Sequence, residues 1–380
     1  MSKILKIASL ILILSLVFSF AACSSSEKSN TEPESSAVNA PLFTAGSDAM
    51  TAPPSASSRY VAGDLVHFGE YPSTLISKDI EAELNKLTLE WKSFGYYSGD
   101  GSVGSMTEDD YMKYADVVHN GKKYRAVQIT EYRPDSVYKK TATGATANGK
   151  RPQQAVNSFE LNKTYWFEYK PLVWRVLDPV IGLIICENII DAQPYSNTVY
   201  QNGENYYSDS AFTKPAYDYE NSSIRNWLNN DANGFYNIAF SDTEKKLIKE
   251  VEVNNTGEYT PYRDLYQAPP TKEKVYLLSA NESQKEEYDL DKEAYSTFYA
   301  WIQGAEIEYN YATDIVGQCT WITRTASSYS QFICEGGGAD NITNSQYVYT
   351  SACGIRPAVQ LSSLDNLEPG KDLMKEAMEN

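Results

Sequence analysis

The sequence predicts an α+β fold, because strand-like and helix-like segments both recur along the chain. Two aromatic and β-branched runs, residues 165–177 and 183–190, are separated by an Asp-Pro step, which is typical of two strands joined by a turn. Ser241 and Ser279 are each followed three residues later by Glu, the pattern of a capping box at the start of a helix. Residues 195–219 are rich in Tyr, Asn and Ser and have no periodicity, so we predict a long irregular segment there.

Residues 1–22 have the layout of a signal peptide. Lys3 and Lys6 precede a largely apolar run over residues 7–20, which is shorter than the roughly 20 apolar residues that span a bilayer. Two alanines and Cys23 follow, and this ending resembles the lipobox of bacterial lipoproteins, in which the cysteine is acylated and becomes the first residue of the mature chain. We therefore predict that Cys23 is lipidated and anchors the protein to the outer face of the cell membrane. The alternative is an ordinary secretory peptide that leaves Cys23 as a free thiol.

Residues 23–58 are predicted to form a disordered tether. They are rich in Ser, Ala, Pro and Glu and show no period, so they cannot bury enough apolar surface to fold. The rest of the chain is long enough for one large or two moderate domains, since 42% of the 380 residues are hydrophobic. The formal net charge is −17, and −19 once Lys3 and Lys6 leave with the signal peptide, which disfavours a nucleic-acid partner.

Residues 59–158 are predicted to form an N-terminal α+β region. A short strand is expected at Leu65–Phe68 and another at Lys123–Ile129, because both runs are apolar and bounded by turn residues. A helix is expected over residues 78–87 from its apolar stripe. A second helix is expected to begin at Thr107, an N-cap residue with acidic residues after it.

A second domain is predicted over residues 159–363. The boundary is placed after the polar, aperiodic stretch 139–154, although residues 59–158 could equally be an elaborated edge of the second domain. A helix is expected from Asn221, after which the apolar residues recur at helical spacing. Residues 364–380 form a charged tail, predicted to be helical and peripheral to the core. The remaining strands are predicted at Val275–Leu278, Thr320–Arg324, Gln346–Thr350 and Arg356–Leu361.

A recognisable order of motifs runs through the chain. The motifs are GDLVHFGEYP, PLVWRVLDP, LIICENIIDAQPY, SSIRNWLN, FSDTEKKLI, EKVYLLSANE, CTWITR and CGIRPAVQL. This order resembles a family of bacterial domains of unknown function on exported proteins and lipoproteins of Gram-positive bacteria. It covers about residues 165–361, and a large insertion separates the opening GDLVHFGEYP from the rest. The family resembles the C-type-lectin-like fold of formylglycine-generating enzymes, which implies a mixed sheet with flanking helices and long irregular loops. It implies no activity, because the WITRT segment departs from the commoner family pattern and no copper-oxidase arrangement of cysteines is evident.

The remaining cysteines allow a disulfide. Cys186 lies in an apolar run and is predicted to be a small buried hydrophobic residue. The other three, Cys319, Cys334 and Cys353, lie late in the chain, and one bridge among them is consistent with export, with its pairing open. The sequence has no CxxC pair, which argues against a structural zinc site.

Catalytic and metal signatures are weak. His67 lies in an apolar alternation and His119 beside a turn, and neither accompanies a nucleophile motif, so we predict no catalytic residues. Arg225 and Arg356 are interpreted as structural. We predict no cofactor; calcium is the one weak candidate, in two oxygen-rich loops that are better explained as turns. Those loops are Asp100–Ser102 with Glu108 and Asp109, and Glu335–Asn341.

The best candidates for ligand contacts lie in irregular segments. The chain has thirty Tyr, and the clustered Tyr206, Tyr207 and Tyr217 could stack on a sugar ring or a protein surface. Asp340 and Asn341 add polar groups in the Gly-rich loop. The leading hypothesis is thus a non-catalytic, lipid-anchored extracellular recognition module for a cell-envelope or host glycan or a surface protein. The alternative is an envelope enzyme, either a glycan hydrolase or a divergent oxidase of the formylglycine-generating type.

Overall fold

The structure is a computed structural model. It describes residues 58–94, 98–99, 106–107, 111–133, 152–195, 219–255, 269–290, 294–310, 315–328, 331–335, 344–347 and 353–379. All of the described residues belong to one compact unit, which spans residues 55–380.

The strands are short, apart from two. In chain order they are β1 (Leu65–Leu75), β2 (Lys92–Ser93), β3 (Ser98–Gly99), β4 (Met106–Thr107), β5 (Met112–His119), β6 (Lys122–Ile129), β7 (Thr164–Asp178), β8 (Leu183–Cys186), β9 (Asp191–Ala192), β10 (Val251–Val253), β11 (Thr271–Glu273), β12 (Val275–Tyr276), β13 (Ala294–Tyr295), β14 (Glu308–Asn310), β15 (Ile315–Cys319), β16 (Trp321–Ser328), β17 (Gln331–Glu335), β18 (Asn344–Tyr347), β19 (Gly354–Ile355), β20 (Ala358–Gln360) and β21 (Glu368–Pro369).

The helices are also short. They are α1 (Lys78–Leu84), α2 (Gln153–Val156), α3 (Ser223–Asn229), α4 (Phe235–Ala239), α5 (Asp242–Lys245), α6 (Ala280–Ser283), α7 (Phe298–Gln303) and α8 (Leu373–Glu379), with 3-10 turns at Tyr219–Asn221 and Glu286–Tyr288. The predicted α+β class is therefore confirmed. No helix among the described residues is long and apolar enough to cross a membrane.

The fifteen-residue strand β7 organises the main sheet. β1 pairs antiparallel with β7 from Leu65↔Arg175 to Leu75↔Phe167, along one edge. The other edge is divided, because β6 pairs with its first half and β8 with its second half. The sheet has nine strands and runs β12-β20-β8-β7-β6-β5-β2, with β1 beside β7 and β21 beside β1. Strands from both sides of the predicted boundary at residue 158 thus share one sheet.

Smaller sheets complete the fold. The largest has the order β18-β17-β16-β19-β9 and contains the parallel pair β16–β19, while β13-β15-β14 forms a three-stranded sheet. The main core lies between the nine-stranded sheet and helices α3, α4 and α7, and includes Trp174, Phe235 and Tyr299. A second cluster on the opposite side joins α1 to the sheet through Leu84 and Trp166.

Most of the predicted elements that fall on described residues are present. The strands expected at 65–68, 123–129, 165–177 and 183–190 and the helices expected at 78–87 and after Asn221 are all formed. Both capping boxes are formed, with the side chains of Ser241 and Ser279 accepting from the backbone of Glu244 and Glu282. The predicted late strands also have counterparts in β16, β18 and β20.

The helix predicted to begin at Thr107 is wrong. Residues 112–119 form β5, which makes a hairpin with β6 through His119↔Lys122. Asn120 and Gly121 both have positive φ, 51° and 77°, as a tight hairpin turn requires. The Asn-Gly turn and the pairing of β5 with β6 therefore determine the structure of this segment. They outweigh the helix signals at Thr107, which are an N-cap residue and the acidic residues after it.

The tail is more closely attached than predicted. Its helix α8 is present as expected, but β21 pairs with β1 through Val66↔Pro369 and His67↔Glu368. Leu364, Leu367 and Met374 are buried. The tail thus extends the main sheet and is not peripheral to the core.

Candidate functional site: a cleft at the β1 bulge

The site begins with a bulge in β1. The register between β1 and β7 shifts between His67, opposite Val173, and Glu70, opposite Pro171. Gly69 lies in this interval with φ of 72°. A bulge of this kind interrupts the ladder and redirects neighbouring side chains, and bulges are common at sites of function.

Only a glycine fits at position 69. A Cβ atom there would lie 2.8 Å from the backbone oxygen of Ala239 and 2.8 Å from the ring of Phe240. The C-terminal end of α4 therefore packs directly onto the bulge. Trp174 also holds the bulge in place, because its Nε1 donates a hydrogen bond to the backbone oxygen of Phe68 at 2.7 Å.

The capping box of α5 is attached to the same bulge. The backbone N–H of Gly69 donates to Oε1 of Glu244 at 3.0 Å. The backbone N–H and the hydroxyl of Ser241 donate to Oε2 of Glu244, at 2.8 and 2.6 Å. Glu244, the glutamate of the α5 capping box, therefore also holds the bulge, although it lies 175 residues away in the chain.

These elements enclose an open cleft of about 580 Å³. It is lined by His67, Phe68, Gly69, Glu70, Lys123, Pro171, Asn237, Ile238, Ala239, Phe240, Ser241 and Glu244. Its walls come from β1, β6, β7, α4 and the start of α5. The β1 bulge and the segment from α4 to α5 both line the cleft, and they meet at Gly69.

The cleft contains both hydrogen-bond donors and acceptors. Nζ of Lys123 lies 3.5 Å from Oε1 of Glu70 and 3.9 Å from the ring centroid of Tyr169. Both Glu70 and Lys123 remain partly exposed, so their pairing is of the surface type, which contributes little to stability. The cleft therefore presents two charged groups, Glu70 and Lys123, that remain accessible to a ligand.

An ionic network lies behind this wall of the sheet, with Arg125 buried and Asp116 partly exposed. The guanidinium of Arg125 donates to both carboxylate oxygens of Asp116 at 2.8 Å and to the hydroxyl of Tyr299 at 3.1 Å. Tyr169 donates to the same Asp116 at 2.9 Å. Burial acts to raise the pKa of Asp116, but the hydrogen bonds and charge of Arg125 outweigh it, so the net shift is downward. The network fixes the ring of Tyr169 on which Lys123 rests.

Asp191, unlike Asp116, is a fully buried carboxylate near this network. It accepts from the hydroxyl of Tyr71 at 3.0 Å, from the backbone of Ala192 at 2.8 Å and from the amide of Gln193 at 3.1 Å. Burial raises its pKa from 3.8 to about 6, against the opposing charge of Arg133 and these hydrogen bonds. Tyr71 lies on β1, so this carboxylate is linked to the strand that carries the bulge.

The ligand-binding candidates from the sequence lie outside the described residues. Tyr206, Tyr207, Tyr217, Asp340 and Asn341 belong to this group, as do the lipidation site Cys23 and the first oxygen-rich loop. Of the second loop, only Glu335 is described, as the last residue of β17. Two tyrosines from the irregular region 195–219 are described. Tyr195 and Tyr219 are buried and lie 6.3 Å apart between ring centroids, so both belong to the core.

The two arginines from the motifs make contacts within the fold, as predicted. Arg225 pairs with Glu273 and donates to the backbone of Glu220. Arg356 is buried, donates to the backbone oxygen of Cys186 at 2.7 Å and lies over the ring of Trp321. Cys186 is a buried free thiol, as predicted, and burial raises its pKa.

Neither histidine makes a catalytic arrangement with the residues described. His119 contacts Glu83 at 3.0 Å on the surface. His67 lines the cleft, and its Nδ1 is buried with no hydrogen-bond partner among the described residues. Within the same part of the chain, no group of three or more His, Cys, Asp or Glu side chains is arranged to hold a metal ion.

The comparisons with known proteins give a domain but no activity. A family model described as a domain of unknown function (DUF6273) matches residues 183–363. No curated protein and no solved structure was found to match the chain. The predicted resemblance to a family of unknown function is thus confirmed for this region, which begins at β8 and leaves β1 and β7 outside the match.

Most of the cleft residues were missed by sequence reasoning. Two signals were visible: a glycine inside a strand-like run, which suggests a bulge, and the capping-box glutamate. A single sequence cannot show that Gly69 and Glu244 meet. Lys123 and Asn237 carry no motif, so only the fold brings them to the cleft.

Proposed function

We propose that this protein is a non-catalytic extracellular recognition module that binds a glycan of the cell envelope or of a host in the cleft at the β1 bulge. The observation that carries the proposal is the cleft itself, in which Lys123, Asn237 and Glu70 offer donors and acceptors beside apolar surface. Sugar hydroxyls both donate and accept hydrogen bonds, so they need such a mixture of partners. An open cleft lined by both polar and apolar groups suits the alternating hydroxyl and C–H surfaces of a sugar.

The recognition module is proposed to be anchored by a lipid on Cys23 at the outer face of the cell membrane. The support is the basic and apolar signal segment that ends in Ala-Ala-Cys, followed by the aperiodic stretch before the fold. A Cys23→Ala variant is expected to appear in the culture medium, since it lacks the proposed lipid and a net charge of −19 gives no attraction to anionic lipids. Its continued recovery with the membrane fraction would contradict the lipid anchor.

The C-type-lectin-like architecture is part of the same proposal. It is supported by the order of the motifs and by an α+β fold in which short strands and helices are joined by long connections. Recognition sites on loops and bulges held by a rigid scaffold are a common design. The proposal attributes recognition to this scaffold without the oxidase chemistry of the formylglycine-generating enzymes.

The test is an array of bacterial cell-wall and host glycans, probed with the full chain in detergent micelles. We expect selective binding that is reduced at least about tenfold by Glu70→Gln, because a hydrogen bond to a charged group contributes roughly 1.5–3 kcal/mol. Glu90→Gln is the matched control, since Glu90 is also exposed and lies outside the cleft. Binding to no glycan, or capture of only a surface protein from envelope extracts, would overturn the glycan proposal.

A glycan hydrolase is the second candidate, and one observation favours it. Two carboxylates, Glu70 and Glu244, line the same cleft, and hydrolysis of glycosidic bonds uses such a pair. Glu244, however, accepts three hydrogen bonds from the protein, which suits a structural role better than proton transfer. Release of reducing ends from a bound glycan, lost in Glu70→Gln, would favour the hydrolase over the recognition module.

A further inference from the structure

Exposed apolar side chains lie at one end of the main sheet. Val180 and Ile181, in the turn between β7 and β8, are 84% and 40% exposed, and Val61, in the turn before β1, is 64% exposed. The two turns lie at the same end of the sheet, because the backbone N–H of Gly63 donates to the backbone oxygen of Val176 at 2.8 Å. We call Val61, Val180 and Ile181 the apolar tip.

Two aspartates fix the backbone of the apolar tip. Oδ2 of Asp64 accepts from the backbone N–H of Val61 at 2.8 Å. Oδ1 of Asp178 accepts from the backbone N–H groups of Val180 at 2.9 Å and Ile181 at 3.3 Å. Because these N–H groups already have partners, the tip can enter an apolar layer without leaving its backbone donors unpaired.

The turn between β7 and β8 is also packed against the rest of the fold. A Cβ atom at Gly182 would lie 2.2 Å from the backbone oxygen of Leu361. Nζ of Lys249 donates to the backbone oxygen of Ile181 at 2.9 Å. The turn is therefore held in place with Val180 outside the core. A surface that is ordered in advance loses little conformational entropy when it binds.

The predicted tether joins the fold beside the apolar tip. Tyr60 is buried and its hydroxyl donates to the backbone oxygen of Leu367 at 2.6 Å, so the chain is attached to the fold at the residue directly before Val61. The tether, residues 23–58, leads from this point to the proposed lipid on Cys23. A flexible segment of this length spans roughly 30–35 Å on average. The tip therefore lies at the end of the fold that the tether keeps within reach of the bilayer.

We propose that the apolar tip inserts into the outer leaflet of the membrane to which the chain is anchored, at the boundary between lipid headgroups and acyl chains. This inference rests on the lipid anchor at Cys23 proposed above. Burial of aliphatic side chains is favourable and needs no directional partner, which suits the fluid acyl region of a bilayer. The net charge of −19 gives no attraction to anionic lipids, so the contact depends on the apolar side chains.

The tether favours lipid over other occupants of the tip. A tethered surface meets its target at an effective concentration that is set by the length of the linker. The bilayer is always within that length, whereas a separate protein partner must diffuse to the tip. Three aliphatic side chains that would bind free vesicles weakly can therefore remain docked on the membrane that holds the anchor. Docking fixes one end of the main sheet at the bilayer surface.

The test uses the full chain, purified with its lipid and placed in phosphatidylcholine nanodiscs. The nanodiscs contain phosphatidylcholine that is nitroxide-labelled on an acyl chain, and the nitroxide broadens the NMR signals of nearby methyl groups. We expect the methyl signals of Val61, Val180 and Ile181 to broaden strongly. Val118 in β5 and Val156 in α2 are the internal controls, since they are 73% and 52% exposed and lie outside the tip, so their signals should broaden less.

Val180→Asp tests the contact, and Val118→Asp is the matched control. Val180→Asp should lower the ratio of docked to free protein about tenfold or more, because burial of one aliphatic side chain contributes at least about this factor. Val118→Asp should leave the ratio unchanged. Docking should persist at high salt, because it does not depend on charge. Equal broadening of all exposed methyl groups, or equal effects of the two variants, would overturn the proposal.

A second preparation separates the tip from the anchor. Residues 23–380 with an N-terminal polyhistidine tag are bound to nickel-chelating lipid in the same nanodiscs, so the tether reaches the bilayer whether or not cells lipidate Cys23. Selective broadening here supports the tip even where the native chain carries no lipid, an outcome that would refute the anchor alone. Absence of selective broadening here would overturn the tip proposal. A response of the tip signals to envelope proteins, but not to the labelled lipid, would also overturn it.

Discussion

Gly69 shows how one residue can determine the shape of the cleft. Its φ is positive and a Cβ would overlap a backbone oxygen of α4. Gly69→Ala should therefore lower the free energy of unfolding by about 2–4 kcal/mol, the sum of the strain of positive φ and the displacement of the neighbouring chain. The measurement is denaturant unfolding followed by circular dichroism.

Gly121→Ala is the control for this substitution. Gly121 also has positive φ, 77°, but an added Cβ would meet nothing within 4 Å. We expect a loss of only about 1 kcal/mol, from backbone strain alone. Equal losses at positions 69 and 121 would show that packing of α4 onto the bulge contributes nothing.

Asp191 makes the stability depend on pH in a defined direction. Its pKa is raised from 3.8 to about 6 in the folded state, so between these values the folded protein holds a proton that the unfolded chain has released. The stabilisation from this group is therefore complete below about pH 4 and is lost as pH rises through 6. Asp191→Asn should be more stable than the parent at pH 7, on the order of 2–3 kcal/mol.

The control for Asp191 is the pH series itself. The advantage of Asp191→Asn should shrink as pH falls from 7 to 4, because the parent carboxyl then becomes neutral. Thermal unfolding at several pH values measures it. An advantage of the same size at pH 4 and pH 7 would mean that the substitution acts through packing or hydrogen bonding with Tyr71 and not through charge.

At the scale of elements, local signals predicted most of the fold, and one conflict shows their limit. The strand over residues 165–177 and the helices after Ser241 and Ser279 follow from composition and capping, which act within a few residues. The segment after Thr107 carried helix signals, yet Asn120-Gly121 and the pairing of β5 with β6 made it a strand. Strand pairing is a property of two segments together, so a single segment can be misinterpreted.

The candidate site could not be predicted from the sequence for the same reason. Gly69, Lys123 and Glu244 come from three separate regions of the chain, and no local pattern relates them. The sequence instead predicted ligand contacts at tyrosines and acidic loops, because local enrichment in these residue types can be recognised from composition alone. The cleft depends instead on the position of the bulge against α4, which arises only when β1 pairs with β7.

At the scale of the molecule, β7 links regions that the sequence placed in two domains. β1 and β6, from residues 59–158, occupy its edges, and β7 precedes the region matched by the family model.

A fragment of residues 159–380 would expose both edges of the first half of β7 and the side chains of Trp166 and Phe167, which are buried in the structure. We therefore expect it to show no cooperative thermal transition by near-ultraviolet circular dichroism. Residues 55–380 are the control, since this unit retains every strand pair of the main sheet and should unfold in a single transition. A sharp transition in the 159–380 fragment would establish that region as an independent domain and would leave residues 59–158 as an addition to its edge.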